Sequence, residues 1–577
     1  MYVLGFNGYV FNAGAWLFRD GQVVAAAQEE RFDRQKHSGA FPEHAIRYCL
    51  DEAGVTLDDV AHVGFHWQPF HQFHRRLGLI LRYLPDSLRY YDTHAGRWSN
   101  MVLVQRDLVR RFPSKGRPGY RFHRVQHPHC HAASAFFLSP FERAALLTVD
   151  GSGEMASATM GLGEGGRLSL PQQVMYPHSL GYLYVALTHY LGFLPDSDEY
   201  KVMALASYGE PEFDERFRRL VSLNDDGTYA IDLRYFDYPR GLRDPWVSPR
   251  FVAEFGPVRH KGDDLLPRHK NLARALQKTL EETVLHMARH LQRTTRAKHL
   301  CYAGGTALNS VANTRLLHDA GFDDVFIQPA ANDAGTGAGS ALSIWHEHLG
   351  KPRSGQLTHA LWGPAYSRER CREALVAAGL PFEEVGEPEL FRRVAALLAR
   401  GLVLGWFQGR MEVGPRALGN RSILADPRDP AMKDTLNARV KHREPFRPFA
   451  PAVLEEHAAE WFEWTRPSPF MLHVARIRPA KVAAIPAVAH VDGTARLQTV
   501  DGTSNPRFRG LIEAFHALTG VPLVVNTSFK VMGEPIVCTP EDAVRCYAST
   551  ALDGLVLHDL VSLRAPASLR DQGQAQH

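Results

Sequence analysis

Two closely spaced histidines are the clearest candidates for chemistry in this sequence. His127 and His131 lie four residues apart in an H-P-H-C-H segment that precedes a run of good helix formers. Pro128 suits the first turn of a helix, so we expect a helix to begin here and to present both imidazoles on one face. Two such imidazoles can bind one cation, and Asp150 and Asp333 could complete a mixed nitrogen and oxygen ligand set. The alternative is a surface histidine cluster in a chain with 29 histidines.

Glycine-bearing turns are the second candidate feature, and three of them follow predicted strands: Asn7-Gly8, Asp150–Gly153 and Gly304–Asn309. Glycines let backbone N–H groups approach phosphate oxygens, and a following helix N-terminus adds a favourable dipole. None matches a P-loop or a G-x-G-x-x-G fingerprint, and each alone could be a plain tight turn. As a set they resemble the phosphate and adenosine loops of the actin/hexokinase-type ATPase fold, in which nucleotide lies between two like-folded lobes.

Arginines interleaved with glycine and proline form the third feature, in the segments Gly409–Arg421 and Lys441–Phe449. Converging arginines give planar, multidentate recognition of phosphate. The alternative is a solvated basic face. Asn526-Thr527-Ser528, at a predicted strand end, adds uncharged polar groups that could orient a small planar amide.

Hydrophobic patterning predicts the elements that position these residues. We predict strands at Val3–Phe6, Ala15–Phe18, Val23–Ala27, Ala144–Val149 and His299–Ala303. Apolar residues between Leu272 and Leu291 recur at spacings of three and four, which is typical of an amphipathic helix. Strands that end in glycine-rich turns and alternate with helices predict an α/β fold with ligands at the strand ends.

The length of 577 residues predicts more than one domain. The Gly- and Pro-rich segment Gly350–Gly363 is the predicted boundary, and further strands at Val403–Phe407 and Leu523–Asn526 belong to a second core. A formal net charge of +4 is too balanced for wholesale nucleic-acid binding. Six cysteines without a C-x-x-C pair are typical of reduced thiols. No apolar run is long enough for a membrane span, so we expect a cytoplasmic protein with no membrane or nucleic-acid partner. We expect a homodimer as the oligomeric state, because twofold dimers are the commonest oligomers.

Together these motifs make the chain similar to the NodU/CmcH family of O-carbamoyltransferases, which act on antibiotics and nodulation factors. The resemblance spans almost the full chain, and its further matching segments are Glu29–Phe32, Lys36-His37, Glu199–Met203, Gly409–Pro427, Lys441–Pro451 and Asn526–Pro535. It implies an N-terminal TsaD-like domain of the actin/hexokinase superfamily (residues 1–350), a YrdC-like α/β domain (364–564) and a flexible tail (565–577).

The resemblance also implies an ATP-dependent reaction. The YrdC-like domain is expected to use carbamoyl phosphate and ATP, with Mg²⁺, to make carbamoyl adenylate, releasing phosphate and pyrophosphate. In the TsaD-like domain, a hydroxyl of a small-molecule natural product then attacks the carbonyl, and AMP leaves. The implied metal ligands are His127, His131, Asp150 and Asp333, with iron(II) or another divalent ion. The implied adenylate contacts are Lys36, Gly151, Gly181, Gly304, Gly305 and Asn309, and those for carbamoyl phosphate and ATP are Arg416, Arg447, Arg496, Asn526 and Ser528.

One departure from the family pattern concerns the general base. The family commonly has His-Asp-Ala-Ser in its first loop, whereas this chain has Phe11-Asn12-Ala13-Gly14. Phenylalanine cannot take a proton. Glu199, Lys201 or a nearby histidine could replace it, the acceptor could need little activation, or transfer could be impaired. Lys201 could equally form a surface salt bridge with Glu199.

Two other functions stay open at this point. Synthesis of tRNA threonylcarbamoyladenosine uses relatives of both domains and predicts dependence on threonine and bicarbonate. A non-catalytic nucleotide- and metal-binding protein predicts binding without turnover. The acceptor pocket is expected in irregular loops at Pro69–Asn100 and Leu223–Lys261.

Overall fold

The chain forms two compact units, Met1–Thr358 and His359–His577. This computed structural model describes residues 1–114, 116, 119–241 and 244–564, with the side chains of 89–95 excepted. The predicted tail, 565–577, lies outside the described residues. The division between the units falls inside the Gly350–Gly363 segment.

The N-terminal unit contains two five-stranded sheets and helices around them. Its strands are β1 (Tyr2–Asn7), β2 (Gly14–Arg19), β3 (Gln22–Gln28), β4 (Val60–Phe65), β5 (Arg121–Arg124), β6 (Arg143–Val149), β7 (Ala156–Glu164), β8 (Arg167–Met175), β9 (Val221–Leu223), β10 (Tyr229–Ile231), β11 (His299–Ala303) and β12 (Asp324–Phe326). Its helices are α1 (Glu30–Asp33), α2 (Glu43–Ala53), α3 (Phe73–Arg82), α4 (Asp86–Arg111), α5 (His127–Phe136), α6 (Leu180–Tyr190), α7 (Glu199–Ala206), α8 (Asp214–Arg218), α9 (Pro249–Phe255), α10 (Pro267–Thr295), α11 (Ser310–Asp319) and α12 (Thr336–Ser343).

The two large sheets share one topology. The first has the order β3-β2-β1-β4-β5 and the second, read from its other edge, β8-β7-β6-β11-β12. In both, the first three strands pair antiparallel and the last two add in parallel. The small sheet β10-β9 lies apart from both. Two like-folded lobes are what an actin/hexokinase-type fold predicts, so the expected α/β, two-lobed architecture is confirmed.

Small residues bring helices α5 and α12 into close contact between the sheets. Helix α12 has the sequence TGAGSALS, and every one of its residues is buried. It packs against β1 on one side and α5 on the other. A Cβ on Gly339 would lie 1.8 Å from the Cys130 carbonyl oxygen, and one on Gly5 would lie 1.9 Å from that of Gly337. Only glycine permits this approach, which places the segment before α12 beside the start of α5.

The long helix α10 and the segment Pro69–Asn100 differ in how well the sequence predicted them. The amphipathic helix expected around Leu272–Leu291 is α10, and its apolar side chains are buried. In contrast, the expectation of an irregular loop at Pro69–Asn100 is wrong, because α3 and much of α4 occupy it. Among the described residues, no helix is long and apolar enough to cross a bilayer.

The C-terminal unit is an α/β structure around one mixed sheet of nine strands, ordered β13-β21-β20-β14-β15-β19-β16-β18-β17. Its strands are β13 (Glu383–Glu384), β14 (Leu404–Phe407), β15 (Arg421–Ala425), β16 (Ala450–Leu454), β17 (His473–Arg476), β18 (Thr494–Val500), β19 (Leu523–Ser528), β20 (Gly554–Leu557) and β21 (Leu560–Leu563). Its helices are α13 (Arg368–Ala377), α14 (Glu389–Ala399), α15 (Met432–Thr435), α16 (Ala458–Trp461), α17 (Pro506–Thr519) and α18 (Pro540–Ser549).

Candidate active site

Helix α5 begins at His127, with Pro128 in its first turn, as the sequence predicted. His127 and His131 are each 1% exposed, so a surface histidine cluster is excluded. Their Nε2 atoms lie 3.0 Å apart. Because residues four apart lie on the same face of a helix, both imidazoles point in the same direction.

Two carboxylates complete this cluster from distant parts of the chain. Asp150 follows β6, and its Oδ2 lies 3.2 Å from His127 Nε2 and 3.4 Å from His131 Nε2. Asp333 precedes α12, and its Oδ1 lies 3.6 Å from each of those nitrogens. All four ligand atoms lie within 4.8 Å of one another.

The spacing and chemistry of the cluster fit a divalent cation. Donors bound to one ion at about 2.0–2.2 Å lie about 3.0–3.6 Å apart when they are neighbours in its coordination shell. Two neutral imidazoles and two carboxylates carry a charge that a divalent ion balances. Burial alone would lower the pKa of His131, but the two carboxylates raise it to about 9. The two carboxylates thus favour positive charge at this place, and the residues present are able to hold a divalent cation.

A second layer of residues orients His127, and the sequence did not indicate it. His66, which directly follows β4, is fully buried, and its Nδ1 lies 3.0 Å from His127 Nδ1. Its Nε2 lies 3.3 Å from the Gly8 carbonyl oxygen. Burial lowers the pKa of His66 well below its usual range, so this imidazole is neutral. The same Nε2 also lies 3.4 Å from the Gly8 backbone nitrogen, so both polar groups of the Gly8 backbone hold this ring.

Glu154 fixes the start of α5 from the other side. Its carboxylate accepts the backbone N–H of His127 at 3.1 and 3.2 Å and that of Gln68 at 2.8 Å. Arg76 of α3 donates to the Glu154 carbonyl oxygen at 2.9 Å. Burial raises the pKa of Glu154. Glu154 could have been predicted from the sequence, because the D-G-S-G-E segment places its carboxylate four residues after Asp150.

Two of the three glycine turns predicted to face nucleotide, Asp150–Gly153 and Gly304–Asn309, meet at Asp150, whereas the Gly8 backbone contacts His66. Gly304 has φ of 100°, and a Cβ there would lie 2.2 Å from the Val149 carbonyl oxygen. The Gly305 N–H donates to Asp150 Oδ1 at 3.0 Å. A Cβ on Gly181 would approach the Asp150 carbonyl oxygen and the Gly151 nitrogen to 2.7 Å. The second lobe thus gathers Gly151, Gly181, Gly304 and Gly305 beside the metal-type cluster.

Asn309 lies at the end of the same turn and has a local structural role. Its side chain caps α11, accepting the Ala312 N–H at 3.1 Å. It also exchanges two hydrogen bonds with Gln277 of α10, at 2.8 and 3.0 Å. A nucleotide contact by Asn309 stays a prediction.

Lys36 lies against the segment that starts α7. Its Nζ donates to Ser197 Oγ at 2.7 Å. Glu199 accepts the Asp196 N–H at 2.8 Å, and burial followed by the negative charges of Asp196 and Asp198 raises its pKa to about 8. Lys201 is buried rather than on the surface, and its ammonium pairs with Asp198 at 3.0 Å.

The first loop, Phe11–Gly14, departs from the family pattern and lies next to His37. The Phe11 ring lies 5.8 Å from the guanidinium carbon of Arg97. Asn12 Oδ1 lies 2.8 Å from His37 Nδ1. Two backbone hydrogen bonds join this loop to the segment around His37, from Ala13 to Ser38 at 2.8 Å and from Tyr9 to Gly39 at 3.0 Å.

Four arginines converge in the C-terminal unit. Burial, followed by the positive charges of Arg416, Arg443 and Arg447, lowers the pKa of Arg496 well below its usual range. Arg496 is on β18, and its buried Nε has no hydrogen-bond partner within the described part of the chain. Arg443 belongs to the predicted basic segment but was not singled out in it. Such a cluster is stabilised by a bound anion.

Asn526 lies beside this cluster on β19. Its Nδ2 donates to Gln498 Oε1 at 2.8 Å and to the Ala417 carbonyl oxygen at 3.3 Å. Its buried Oδ1 has no partner among the described residues, which leaves an acceptor for an N–H group. Ser528 accepts a hydrogen bond from the buried Lys441 ammonium through its carbonyl oxygen, so its backbone has a structural role.

Not every arginine of the basic segments belongs to this cluster. Arg421 is fully buried, donates to the carbonyl oxygens of Gln408, Gly409 and Pro364, and stacks on Phe407 at 3.6 Å. It supports the loop that carries Arg416.

Comparison with known proteins identifies this combination of sites. The profile described as carbamoyltransferase N-terminus matches residues 2–342, and that described as carbamoyltransferase C-terminus matches residues 395–564. The chain belongs to the carbamoyltransferase family. This confirms the family expected from the motifs and makes the protein an enzyme, so a purely non-catalytic binding role is not supported.

Named relatives cover most of the chain. Nodulation protein NolNO of Sinorhizobium fredii is 40% identical over 98% of this chain and 81% of its own length. Uncharacterized protein sll1178 of Synechocystis is 40% identical over 99% of this chain and 98% of its own. The 3'-hydroxymethylcephem-O-carbamoyltransferase of Amycolatopsis lactamdurans is 31% identical over 64% of this chain and 65% of its own.

Proposed function

We propose that this carbamoyltransferase is an ATP-dependent O-carbamoyltransferase that acts on a hydroxyl of a small-molecule natural product. Arg496 and Asn526 carry this proposal. A half-buried cluster of arginines suits the phosphates of carbamoyl phosphate and ATP, and an open amide oxygen beside it suits the N–H groups of a carbamoyl moiety.

The C-terminal unit performs the first half-reaction in this proposal. Water cleaves carbamoyl phosphate to carbamate and phosphate. A carbamate oxygen then attacks the α-phosphorus of Mg²⁺-bound ATP, giving carbamoyl adenylate and pyrophosphate. Arg416, Arg447 and Arg496 neutralise the phosphates, while Asn526 and Ser528 orient the planar amide.

The N-terminal unit performs the transfer in this proposal. His127, His131, Asp150 and Asp333 would hold a divalent ion, iron(II) by family resemblance, which supplies positive charge near the departing AMP phosphate. The turns with Gly151, Gly181, Gly304 and Gly305 bring backbone N–H groups to the same place, with Lys36 and Asn309 as further adenylate contacts. The acceptor oxygen forms a bond to the carbamoyl carbon, and the bond to the phosphate oxygen breaks.

His37 is the base that the geometry favours for the acceptor proton. Asn12 Oδ1 accepts only, so the 2.8 Å contact assigns the proton to His37 Nδ1 and leaves the lone pair on Nε2. Phe11 and Asn12 stand where the family has a His and an Asp. In this proposal Asn12 orients His37, and His37 takes over the role of the family histidine that Phe11 replaces. Glu199 is protonated at neutral pH, with its pKa of about 8, and the Lys201 ammonium pairs with Asp198. We therefore place these two as supporting residues.

The first half-reaction provides the test. Purified protein with carbamoyl phosphate, ATP and Mg²⁺, but no acceptor, is expected to release pyrophosphate and form carbamoyl adenylate, detected by mass spectrometry. Arg496→Met should abolish both, whereas Arg392→Gln, on an exposed arginine paired with Glu389, should not. Absence of pyrophosphate under reducing, iron-supplemented conditions would overturn the proposal, and product formation only with threonine and bicarbonate would replace it with the tRNA-modifying activity.

A further inference from the structure

An apolar stripe is exposed along helix α3 and at the beginning of α4. No residue of α3 is buried. Surface helices normally bury an apolar face, which supplies most of their stability. The stripe, named here the α3 stripe, consists of Phe70 (64% exposed), Phe73 (40%), Leu77 (45%), Leu81 (61%), Leu84 (48%) and Leu88 (55%).

The α3 stripe is a true patch rather than a scatter of surface residues. The described part of the chain has 16 large hydrophobic side chains that are exposed, and the stripe contributes 6 of them within 19 residues. Phe73, Leu77 and Leu81 follow one another at a spacing of four, so they lie on one face of α3. Single exposed apolar residues need no explanation, but a contiguous row marks a binding surface.

The charge around the α3 stripe is positive on balance. Residues 70–88 contain three arginines, Arg75, Arg76 and Arg82, against one aspartate, Asp86, which pairs with Arg240 at 3.6 Å. Arg75 and Arg82 are exposed on the opposite side of α3 from the apolar row. An apolar face with arginines on the opposite, polar face is the pattern of a helix that lies in the interface of an anionic membrane.

A second copy of the chain fits this surface less well. A twofold interface brings the same patch of both copies together, and three arginines against one aspartate, Asp86, leave this patch with a net positive charge. Like charges placed opposite each other disfavour association. A lipid surface with anionic headgroups satisfies both the arginines and the apolar side chains.

The α3 stripe is linked to the metal-type cluster through Glu154. Arg76, on α3, donates to the Glu154 carbonyl oxygen, and Gln68, just before it, donates to the Glu154 carboxylate. The same carboxylate accepts the His127 N–H. We propose that α3 docks this protein on an anionic lipid surface and holds the metal-binding end of the N-terminal unit next to it. The lack of a spanning segment is no obstacle, because an interfacial helix needs none.

Vesicle binding of the full-length protein tests the proposal. Vesicles of phosphatidylcholine alone are compared with vesicles that contain phosphatidylglycerol as a quarter of the lipid, at low and high salt. The protein should float with the anionic vesicles, bind the neutral ones weakly, and lose affinity as salt increases. Leu77→Ser with Leu81→Ser should reduce binding about tenfold or more, because two apolar side chains no longer enter the lipid. Arg75→Gln with Arg82→Gln should remove the preference for anionic lipid.

Matched controls keep the outcome clear. Leu223→Ser with Leu518→Ser alters two exposed leucines outside the α3 stripe and should leave vesicle binding unchanged. Thermal unfolding of each variant checks that it folds. No binding of the wild-type protein to anionic vesicles would overturn the proposal. The proposal would also be overturned if the wild-type protein were a dimer and Leu77→Ser with Leu81→Ser converted it to a monomer. The α3 stripe would then be a self-association surface. Neither result depends on the carbamoyl-transfer chemistry.

Discussion

Removing the imidazole of His66 should weaken metal binding without removing a metal ligand. His127 would offer Nε2 to a bound ion, and its Nδ1 lies 3.0 Å from His66 Nδ1. His66 is held in turn by the Gly8 carbonyl oxygen at 3.3 Å. His131 has no comparable support, because its buried Nδ1 has no hydrogen-bond partner within the described residues. The orientation of the histidine pair therefore depends on His66.

The magnitude follows from what such partners contribute elsewhere. Loss of a residue that orients a metal-bound histidine typically costs about 10–100-fold in metal affinity, or about 1.4–2.8 kcal/mol. We expect His66→Ala to fall in this range, and His127→Ala, which removes a ligand, to lose more. Binding of Fe²⁺ under anaerobic conditions, or of Mn²⁺ or Zn²⁺ in competition with a chelator of known affinity, measures the change.

The control must separate orientation from the cost of a buried cavity. His346 is a buried histidine of the same unit whose Nδ1 lies 3.0 Å from the Lys351 carbonyl oxygen, away from the ligands. His346→Ala should lower the thermal stability comparably and leave metal affinity within about twofold. If His66→Ala also leaves the affinity unchanged, or if both variants lower it equally, the reasoning about His66 is wrong.

Four further outcomes are expected. Arg496→Lys keeps the charge but loses the planar donors, so pyrophosphate release should fall about tenfold or more, measured by a coupled assay; equal rates would contradict multidentate binding. His37→Gln should abolish transfer to the acceptor while pyrophosphate release persists, and Phe11→His in that background should restore part of the transfer; unaltered transfer in His37→Gln would exclude His37 as the base. The pKa of Glu199 is raised to about 8 in the folded protein, so ionisation of this side chain destabilises the fold as the pH rises from the ordinary pKa of a glutamate through 8. Glu199→Gln should therefore reduce the stability lost between pH 5.5 and 8.5 by at least about 1 kcal/mol, measured by chemical unfolding. An unchanged loss would refute this. Gly339→Ala should cost about 1–3 kcal/mol and weaken metal binding, because the new methyl group separates α12 from α5; wild-type stability would show that this contact is not tight.

The sequence predicted local features of the site well because their signals are local. The four-residue spacing of His127 and His131 fixes their common direction once a helix forms, and Pro128 marks where that helix begins. Strands ending at Asp150 and Gly304 were visible as apolar runs followed by polar or glycine turns. Those patterns need no knowledge of the fold.

The residues that were missed depend on contacts between distant segments. His66 and His127 are 61 positions apart, and nothing in the sequence between them indicates that β4 ends beside α5. Gln498 meets Asn526 through the order of the strands in the C-terminal sheet. The helices within Pro69–Asn100 were missed although Phe73, Leu77 and Leu81 recur at the four-residue spacing of a helix.

The hydrogen bond between His66 and His127 joins two bodies that share no sheet. His66 follows a strand of the first lobe, whereas α5 packs on the sheet of the second. A movement of one lobe against the other would stretch this bond and disturb the orientation of His127. We therefore expect any change that moves the lobes apart to weaken metal binding, and a bound ion to favour the present arrangement of the lobes by the same free energy.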